Sequence, residues 1–140
     1  MAYREKTAWL TLVCMVIAYT IYFGLILSRA TPPGLMDIIW TFGAVAGIQA
    51  IVVIVLSIAL ALRQSGEARI PADERDRAIA RRGANAAYYV LMVGVIVTAV
   101  VMPFTDPAPK IVNTGLLALV IAEAVRLITI VASYRRGWHG

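Results

Sequence analysis

The central segment of this chain, Arg63 to Gly83, reads RQSGEARIPADERDRAIARRG and holds six of its arginines. It lies between two long apolar halves. Of the 140 residues, 61% are hydrophobic and 15% are charged, and the mean hydropathy is +0.80. A soluble globular domain usually has about 45–50% apolar and about 25% charged residues. The composition therefore indicates an integral membrane protein that this polar segment divides in two.

Four apolar runs are each long enough to cross a bilayer, which needs roughly 20 residues of helix. We predict an all-α, polytopic membrane protein with a single domain, residues 1–140. The predicted spans are 7–28, 38–62, 84–102 and 111–134, with the loop 63–83 between the second and third. The first run is too long for the apolar part of a signal peptide, which has about 7–15 residues. Short turns at the other two connections predict an antiparallel four-helix bundle.

Two acidic positions are predicted to mark helix starts. Asp37 is expected to be the N-cap of the second helix, where its carboxylate would accept hydrogen bonds from free amides. In the loop, Pro71 followed by Asp73, Glu74 and Asp76 suits the positive end of a helix dipole. Three carboxylates could instead hold a hard cation. We favour a helix start continuous with the third span, and we expect no metal ion and no other cofactor.

The basic residues predict the orientation, because arginine and lysine gather on the cytoplasmic side of membrane proteins. With four spans, ten of these residues fall on one side and only Arg29 and Lys110 on the other. The ten are Arg4, Lys6, Arg63, Arg69, Arg75, Arg77, Arg81, Arg82, Arg135 and Arg136. Both termini and the loop 63–83 are therefore predicted to be cytoplasmic.

Small residues form two stripes that suit close contact between helices in lipid. Gly43 and Gly47 form a GxxxG motif in the second run, and Gly115, Ala118 and Ala122 form a seam in the fourth. We expect the GxxxG face to pack inside the chain's own bundle. A homodimer contact is the alternative for either stripe.

Glu123 is the most informative single position, because it stands near the centre of the fourth apolar run with Arg126 three residues later. An ionisable residue at this depth costs roughly 3 kcal/mol on insertion scales and is by default a functional-site hypothesis. The i, i+3 spacing puts both side chains on one helix face, where they can pair. Alternatively, Arg126 extends toward the headgroups and leaves Glu123 alone.

The role of Glu123 depends on that choice. If paired, it is expected to serve as a structural clasp in helix association. If unpaired, it becomes a candidate proton carrier or a binder of a cationic substrate. Gln49, near the midpoint of the second run, is the predicted hydrogen-bonding partner from another helix, because an unpaired amide in hydrocarbon is also costly.

Two short motifs carry a family resemblance. The first is DERDRAIARRGANAAYY, residues 73–89, an acidic start followed by an apolar helix that begins with small residues and two tyrosines. The second is the YRRG of Tyr134 to Gly137. Together they resemble the bacterial small four-span membrane proteins grouped as domain of unknown function 2178, and the resemblance covers most of the chain. It implies a protein of the bacterial inner membrane and supplies no activity and no catalytic residue.

Several function classes are argued against. His139 is the only histidine and lies outside the spans, which excludes a bis-histidine haem protein. Cys14 is the only cysteine, so no disulfide framework and no thiolate metal site is expected. The chain contains no GxxxxGK[ST], GxSxG or HExxH motif. The net charge of +5 is what membrane insertion produces. We therefore expect neither an enzyme nor a nucleic-acid-binding protein.

Two functions of different class remain. The first is a regulatory, accessory or sensing membrane module that contacts a protein partner or anionic headgroups through its basic loop. Its predicted contact residues are Asp73, Glu74, Arg75, Asp76, Arg77, Arg81 and Arg82. The second is a small transporter or proton-coupled carrier in which Glu123 binds the substrate or a proton. Because four tightly packed helices leave no water path, this carrier is expected to be a dimer. The sequence favours the module.

Overall fold

The chain is helical over most of its described length. A computed structural model describes residues 3–64, 66 and 70–137, and within them there is no β-strand. Their α-helices are α1 (Tyr3–Leu27), α2 (Leu35–Arg63), α3 (Glu74–Ile96) and α4 (Ala108–Arg135). Each is long and apolar enough to cross a membrane, with α3 taken together with its continuation to Phe104. Over these residues the all-α class is confirmed, and so are four helices that are long and apolar enough to span a membrane. Arg69 and His139 lie outside the described residues.

The start of α2 differs from the prediction. The helix begins at Leu35, and its N-cap is Gly34, so the prediction that Asp37 is the N-cap is wrong. Asp37 is the third helical residue, and its Oδ2 accepts a hydrogen bond from the Gly34 N–H at 3.1 Å. An acidic residue at this position can reach back to the cap backbone and satisfy the helix end from inside. The carboxylate therefore stabilises the predicted helix end from a different position.

The second half of the predicted loop, residues 74–83, is helical. Asp73 is the N-cap of α3, and its Oδ1 accepts a hydrogen bond from the Asp76 N–H at 2.7 Å. The helix then runs from Glu74 into the third span without a break, which confirms the prediction made from the acidic cluster.

The far end of α3 changes helix type. It continues as a π-helical segment, Val97–Val101, and a 3₁₀ turn, Met102–Phe104. Pro103 lies in this turn, where its missing N–H removes a hydrogen bond that a continued α-helix would need. The predicted end of the third span at residue 102 is therefore close, since the helical structure ends at Phe104.

The central helix of the bundle is α4, which packs against each of the other three. Leu12 and Met15 of α1 are buried against Leu127 of α4. Tyr22 of α1 and Ile38 of α2 belong to a second buried cluster, nearer the other end of α1. The described parts of α2 and α3 make no extended contact with each other. The bundle is therefore open on the side between α2 and α3.

The closest helix contact joins α3 to α4. A methyl group placed at Gly94 would lie 2.4 Å from the Ala118 Cβ, and one at Gly83 would lie 2.9 Å from the Ile130 Cγ1. Non-bonded carbon atoms do not approach this closely, because their optimal separation is about 3.5–4.0 Å. The two backbones therefore approach each other only because α3 carries glycine at both positions.

The small-residue seam predicted in the fourth span forms one side of this contact. Ala118 faces Gly94, Gly115 lies opposite Thr98, and Ala122 is buried. The seam is thus used inside a single chain. Its partner residues on α3 could have been found from the sequence, because Gly83 and Gly94 are eleven residues apart and so lie on one helix face.

The GxxxG face of α2 is not used in this way. A methyl group at Gly43 or Gly47 would meet no atom of the described chain within 4 Å, and both glycines are exposed. The expectation that this face packs inside the bundle is therefore wrong. Instead, α2 contacts α1 through Phe42, whose ring centroid lies 5.4 Å from that of Tyr19 and 5.3 Å from that of Tyr22. Aromatic side chains therefore contribute to the contact between α1 and α2, and Gly43 and Gly47 do not.

Candidate functional site

Glu123 and Arg126 pair with each other within α4. Arg126 Nε donates to Glu123 Oε2 at 2.8 Å, and Arg126 Nη2 donates to Glu123 Oε1 at 2.5 Å. This bidentate arrangement is the strongest way for an arginine to hold a carboxylate. Because both residues belong to one helix, the pair does not join two helices. The interpretation of a paired Glu123 as a clasp between helices gains no support from this geometry.

The pair is only partly covered by the rest of the bundle. The Glu123 and Arg126 side chains keep 40% and 39% of their surface exposed. Two charged groups at the depth of a membrane span, bonded to each other and still accessible, are uncommon, because such residues usually face a bundle interior or a water-filled cavity. The exposure therefore points to a space that the described helices leave open beside the pair.

Glu123 lines a cavity of about 250 Å³ between α1, α2 and α4. Gln49 of α2 and Tyr19 of α1 line the same cavity, together with Met15. The structure therefore brings the predicted partner Gln49 to the cavity that Glu123 lines. Within the described residues the two side chains share this cavity but form no direct hydrogen bond.

Arg126 lines a different cavity, of about 290 Å³, between α1, α3 and α4. Thr7 and Thr11 of α1 are polar residues of its wall. Each threonine hydroxyl donates to a carbonyl one turn earlier in its own helix, at 3.1 and 2.9 Å. A hydroxyl that donates in this way keeps lone pairs that can accept another hydrogen bond. The cavity is thus lined by polar groups along α1 as well as by Arg126.

Asp76 also lines this second cavity, at the end of the bundle where α1 begins and α4 ends. We call this end the basic end. Asp76 Oδ2 lies 3.0 Å from Arg4 Nε, and Asp76 Oδ1 accepts a hydrogen bond from the Tyr134 hydroxyl at 2.6 Å. One carboxylate of α3 thereby joins α1 and α4. Asp76 belongs to the DERD motif and Tyr134 to the YRRG motif, so the structure brings the two motifs together.

A second link at the basic end joins α1 to α4 directly. Arg135 Nε lies 3.8 Å from Glu5 Oε1, and the Arg135 guanidinium lies 5.0 Å from the centroid of the Trp9 ring. Glu5 is buried, with 8% of its surface exposed. A buried carboxylate needs a cationic partner. Glu5 in the first turn of the apolar helix α1 is the sequence feature from which its pair with Arg135 could have been predicted.

The opposite end of the bundle is held by different polar contacts. The hydroxyl of Tyr22, a fully buried residue, donates to Asn113 Oδ1 of α4 at 2.8 Å. Lys110, in the first turn of α4, donates from Nζ to Oδ1 of Asp106 in the preceding connection at 2.5 Å. Hydrogen bonds from Lys110 and Thr105 lower the pKa of Asp106 below its ordinary value. Asp106 is therefore expected to stay ionised in mildly acid solution.

The other predicted contact residues lie in the first turns of α3. Asp73 is used as its N-cap, while Glu74, Arg77, Arg81 and Arg82 are exposed and Arg75 is half-buried. Over the described part of the chain, no three His, Cys, Asp or Glu side chains come together as metal ligands would.

We expect Asp76→Ala to loosen the basic end. The substitution removes the contacts to Arg4 and Tyr134, and hydrogen bonds to charged groups are each worth about 1.5–3 kcal/mol. The Arg4 side chain is 43% exposed, so its ion pair contributes little. The free energy of unfolding in mixed micelles should therefore fall by roughly 2 kcal/mol, mainly because the Tyr134 hydrogen bond is lost. A cysteine introduced at Thr11, in a Cys14→Ala background, should react faster with a water-soluble thiol reagent. Glu74→Ala removes an exposed carboxylate two residues away, and equal effects of the two substitutions would contradict the prediction.

The chain matches no protein-family model, no curated protein and no solved structure. A proposal for its function therefore depends on the geometry of the site. The strongest feature of that geometry is one ion pair of α4 that lines two cavities.

Proposed function

We propose that this protein is a small proton-coupled carrier of a small anion, with Glu123 and Arg126 as its binding site. The observation that carries the proposal is the division of the pair between two cavities: Arg126 lines one, and Glu123 lines the other with Gln49. A pair confined to α4 can break without separating two helices. A site that must exchange its ligand needs this property.

The charge of the site favours binding an anion and a proton together. In the empty site, the Glu123 carboxylate neutralises the Arg126 guanidinium. An anion that replaced the carboxylate on Arg126 would leave Glu123 charged and unpaired, which is costly within a membrane. A proton bound to Glu123 removes that charge. The loaded site, with neutral Glu123 and an anion on Arg126, then carries the same net charge as the empty one.

The size of the cavities limits the anion. The cavity that Arg126 lines has a volume of about 290 Å³, whereas pockets for drug-sized ligands usually have about 300–1,000 Å³. An inorganic anion or a small carboxylate fits this space. Its polar wall of threonine hydroxyls suits a ligand that keeps part of its hydration.

The arrangement of α1 and α4 bears on the orientation of the protein in the membrane. Glu5 of α1 lies near Arg135 of α4 at one end, and Tyr22 lies near Asn113 at the other, as expected if the two helices run antiparallel. We place the basic end in the cytoplasm, with both termini inside, because of the ten-to-two distribution of basic residues. We place the protein in the bacterial inner membrane because its DERD and YRRG motifs resemble those of domain of unknown function 2178.

The test is reconstitution of the purified full-length protein into liposomes that contain a pH-sensitive dye. Imposed inward gradients of chloride, nitrate, lactate and glycolate should be compared with protein-free liposomes. For at least one anion we expect acidification of the lumen that is unaffected by a membrane-potential clamp, since one proton enters with one anion. The proposal is lost if none of these anions moves protons faster than the protein-free control.

The regulatory module is a second candidate, favoured by the exposed Arg77 and Arg81 on α3 at the basic end. These side chains could contact an acidic surface of a cytoplasmic protein. Substitution of Arg75, Arg77, Arg81 and Arg82 by glutamine should then reduce co-purification of that partner from cells without changing ion flux. Unchanged co-purification would count against the module.

We also propose that the protein forms a homodimer. The helix face that carries Gly43 and Gly47 is the proposed contact, because no described part of the chain packs against these glycines. Gly43→Cys in a Cys14→Ala background should form a disulfide-linked dimer in membranes after mild oxidation. A cysteine at the intramolecular position Ala118 should not.

A further inference from the structure

The cavity of about 250 Å³ that Glu123 lines has a wall of mixed polarity. Its three polar residues come from three helices: Tyr19 of α1, Gln49 of α2 and Glu123 of α4. The rest of its described lining is apolar and consists of Met15, Leu119 and Val120. It shares no described lining residue with the cavity of about 290 Å³ that Arg126 lines. The two charged groups of the pair therefore face separate spaces.

Two neutral polar groups of the smaller cavity have no hydrogen-bond partner in the described chain. The Gln49 amide can donate two hydrogen bonds and accept two, and the Tyr19 hydroxyl can donate one and accept others. The Tyr19 ring is held by stacking on Phe42, with the ring centroids 5.4 Å apart. A polar group without a partner is costly in apolar surroundings. Both groups therefore need a partner that occupies the cavity itself.

The cavity suits water as that partner. A water molecule takes up about 30 Å³ in the liquid and needs two to four polar partners to stay inside a protein. The volume of about 250 Å³ exceeds that space several times, and the three polar side chains supply the partners. An anion is not favoured here, because no described lining residue is cationic and the Glu123 carboxylate repels it.

The groups that face Glu123 show where its proton comes from. Tyr19 lines the cavity from α1 and Arg126 pairs with Glu123 from its own helix, while Gln49 of α2 does not titrate. Tyrosine ionises at about pH 10 and arginine above about pH 12. Neither side chain therefore gives up a proton near pH 7. A proton that Glu123 takes up at this pH comes from water.

We propose that this cavity holds the water that exchanges a proton with Glu123, with Gln49 and Tyr19 as the residues that position it. A carboxylate exchanges its proton with a group in hydrogen-bond reach, directly or through one water. On loading, a hydrated proton transfers to one Glu123 carboxylate oxygen and leaves a neutral water behind, while Arg126 keeps its own protons. On unloading, the same oxygen returns the proton to the water. The use of this exchange in transport rests on the proposed carrier.

The experiment measures alkylation of a cysteine in the cavity wall, with the full-length protein in liposomes. Val120→Cys, in a Cys14→Ala background, is treated with N-ethylmaleimide, a neutral reagent that enters the bilayer and reacts with the thiolate. Apolar surroundings suppress thiolate formation, so Val120→Cys should react at least about tenfold faster than Ile121→Cys. Ile121 is the next residue of α4, is 45% exposed and does not line the cavity. Equal rates for the two cysteines would overturn the proposal.

Two substitutions test the positioning residues. Gln49→Leu has nearly the same size and should slow alkylation of Val120→Cys by at least about fivefold, because the water loses a polar partner. Tyr19→Phe removes only a hydroxyl and should also slow it, and it carries the test if Gln49→Leu does not fold. The matched control is Tyr22→Phe, which should not slow the reaction, since the Tyr22 hydroxyl donates to Asn113 outside this cavity. An unchanged rate in both cavity variants would show that these residues do not position the water.

A transport measurement separates this proposal from the carrier itself. In the dye-loaded liposomes, Gln49→Leu should lower the maximal rate of acidification by roughly tenfold, since a positioned proton transfer usually contributes at least that much. The half-saturating anion concentration should stay the same, because the cavity that Arg126 lines is unaltered. A changed half-saturating concentration at an unchanged maximal rate would assign Gln49 to anion binding and overturn the proposal. If the wild type takes up no anion, only the carrier is lost, since the alkylation rates still decide whether the cavity holds water.

Discussion

We expect Glu123→Gln to reduce proton-coupled anion uptake to the level of protein-free liposomes while the protein stays folded. Glutamine has nearly the same shape as glutamate and can still accept a hydrogen bond from Arg126, but it cannot take up a proton. The side chain is partly exposed and bonded only within α4, so its replacement should disturb the packing little. The loss is measured as dye-reported acidification under the anion gradient that is most effective for the wild type.

Anion binding should change in the opposite direction. In the wild type an anion competes with the Glu123 carboxylate for Arg126, so its affinity should rise as the pH falls and Glu123 is protonated. In Glu123→Gln that competitor is gone, and the affinity at pH 7 should rise by at least about tenfold and lose its pH dependence, since a charge-assisted hydrogen bond contributes about 1.5–3 kcal/mol. A purely structural Glu123 would not give this pattern.

Two variants control this result. Glu74→Gln removes an exposed carboxylate from α3 and should leave both uptake and its pH dependence unchanged. Arg126→Gln should lose anion binding as well as uptake, because the only other described cation that lines the cavity between α1, α3 and α4 is Arg4, which pairs with Asp76. Wild-type uptake by Glu123→Gln would exclude the carrier.

Features that depend on neighbouring residues could be predicted from the sequence. The four spans follow from apolar runs, and the start of α3 follows from Pro71 and the acids after it. The sequence allowed two alternatives for Arg126: pairing with Glu123 or extension toward the headgroups. Pairing could be predicted because residues three apart lie on one helix face, and the structure shows the pair. The choice between pairing and snorkelling depends on the surrounding helices, which spacing alone does not describe.

Features that depend on distant residues could not be predicted in this way. Asp76 meets Tyr134 from 58 positions away, and nothing in the acidic cluster shows which of its three carboxylates faces the bundle. The same holds for the glycines. Gly43 and Gly47 have the better-known spacing, yet Gly83 and Gly94 make the close contact, because a helix face packs only where another helix lies opposite it.

The expectation that a carrier with four tightly packed helices must be a dimer also needs revision. With four helices in close contact all round, a single chain would have no water path and transport would require a dimer. Here α2 and α3 make no extended contact along their described lengths, and cavities lie on both sides of the Glu123–Arg126 pair. A path for a small anion therefore does not by itself require a second chain.

Gly94→Ala should destabilise the bundle by about 1–3 kcal/mol, which is the usual cost of overpacking a close contact. The new methyl group would lie 2.4 Å from the Ala118 Cβ, so α3 and α4 would have to move apart. This displacement would also disturb the nearby contact of Gly115 with Thr98. The free energy of unfolding is measured by titration with denaturing detergent in mixed micelles, with helicity as the readout.

A second substitution should rescue this variant. When Ala118→Gly is combined with Gly94→Ala, the nearest remaining atom to the new methyl group is the Ala118-position Cα at 3.6 Å, an ordinary contact distance. Apart from the difference in helix propensity between glycine and alanine, the free energy of unfolding of the double variant should lie within about 0.5 kcal/mol of the wild-type value. The coupling energy between positions 94 and 118 should be at least about 1 kcal/mol. Gly43→Ala makes the same chemical change on an open helix face and should not destabilise the protein. Equal behaviour of Gly94→Ala and Gly43→Ala would mean that α3 and α4 do not meet at Gly94.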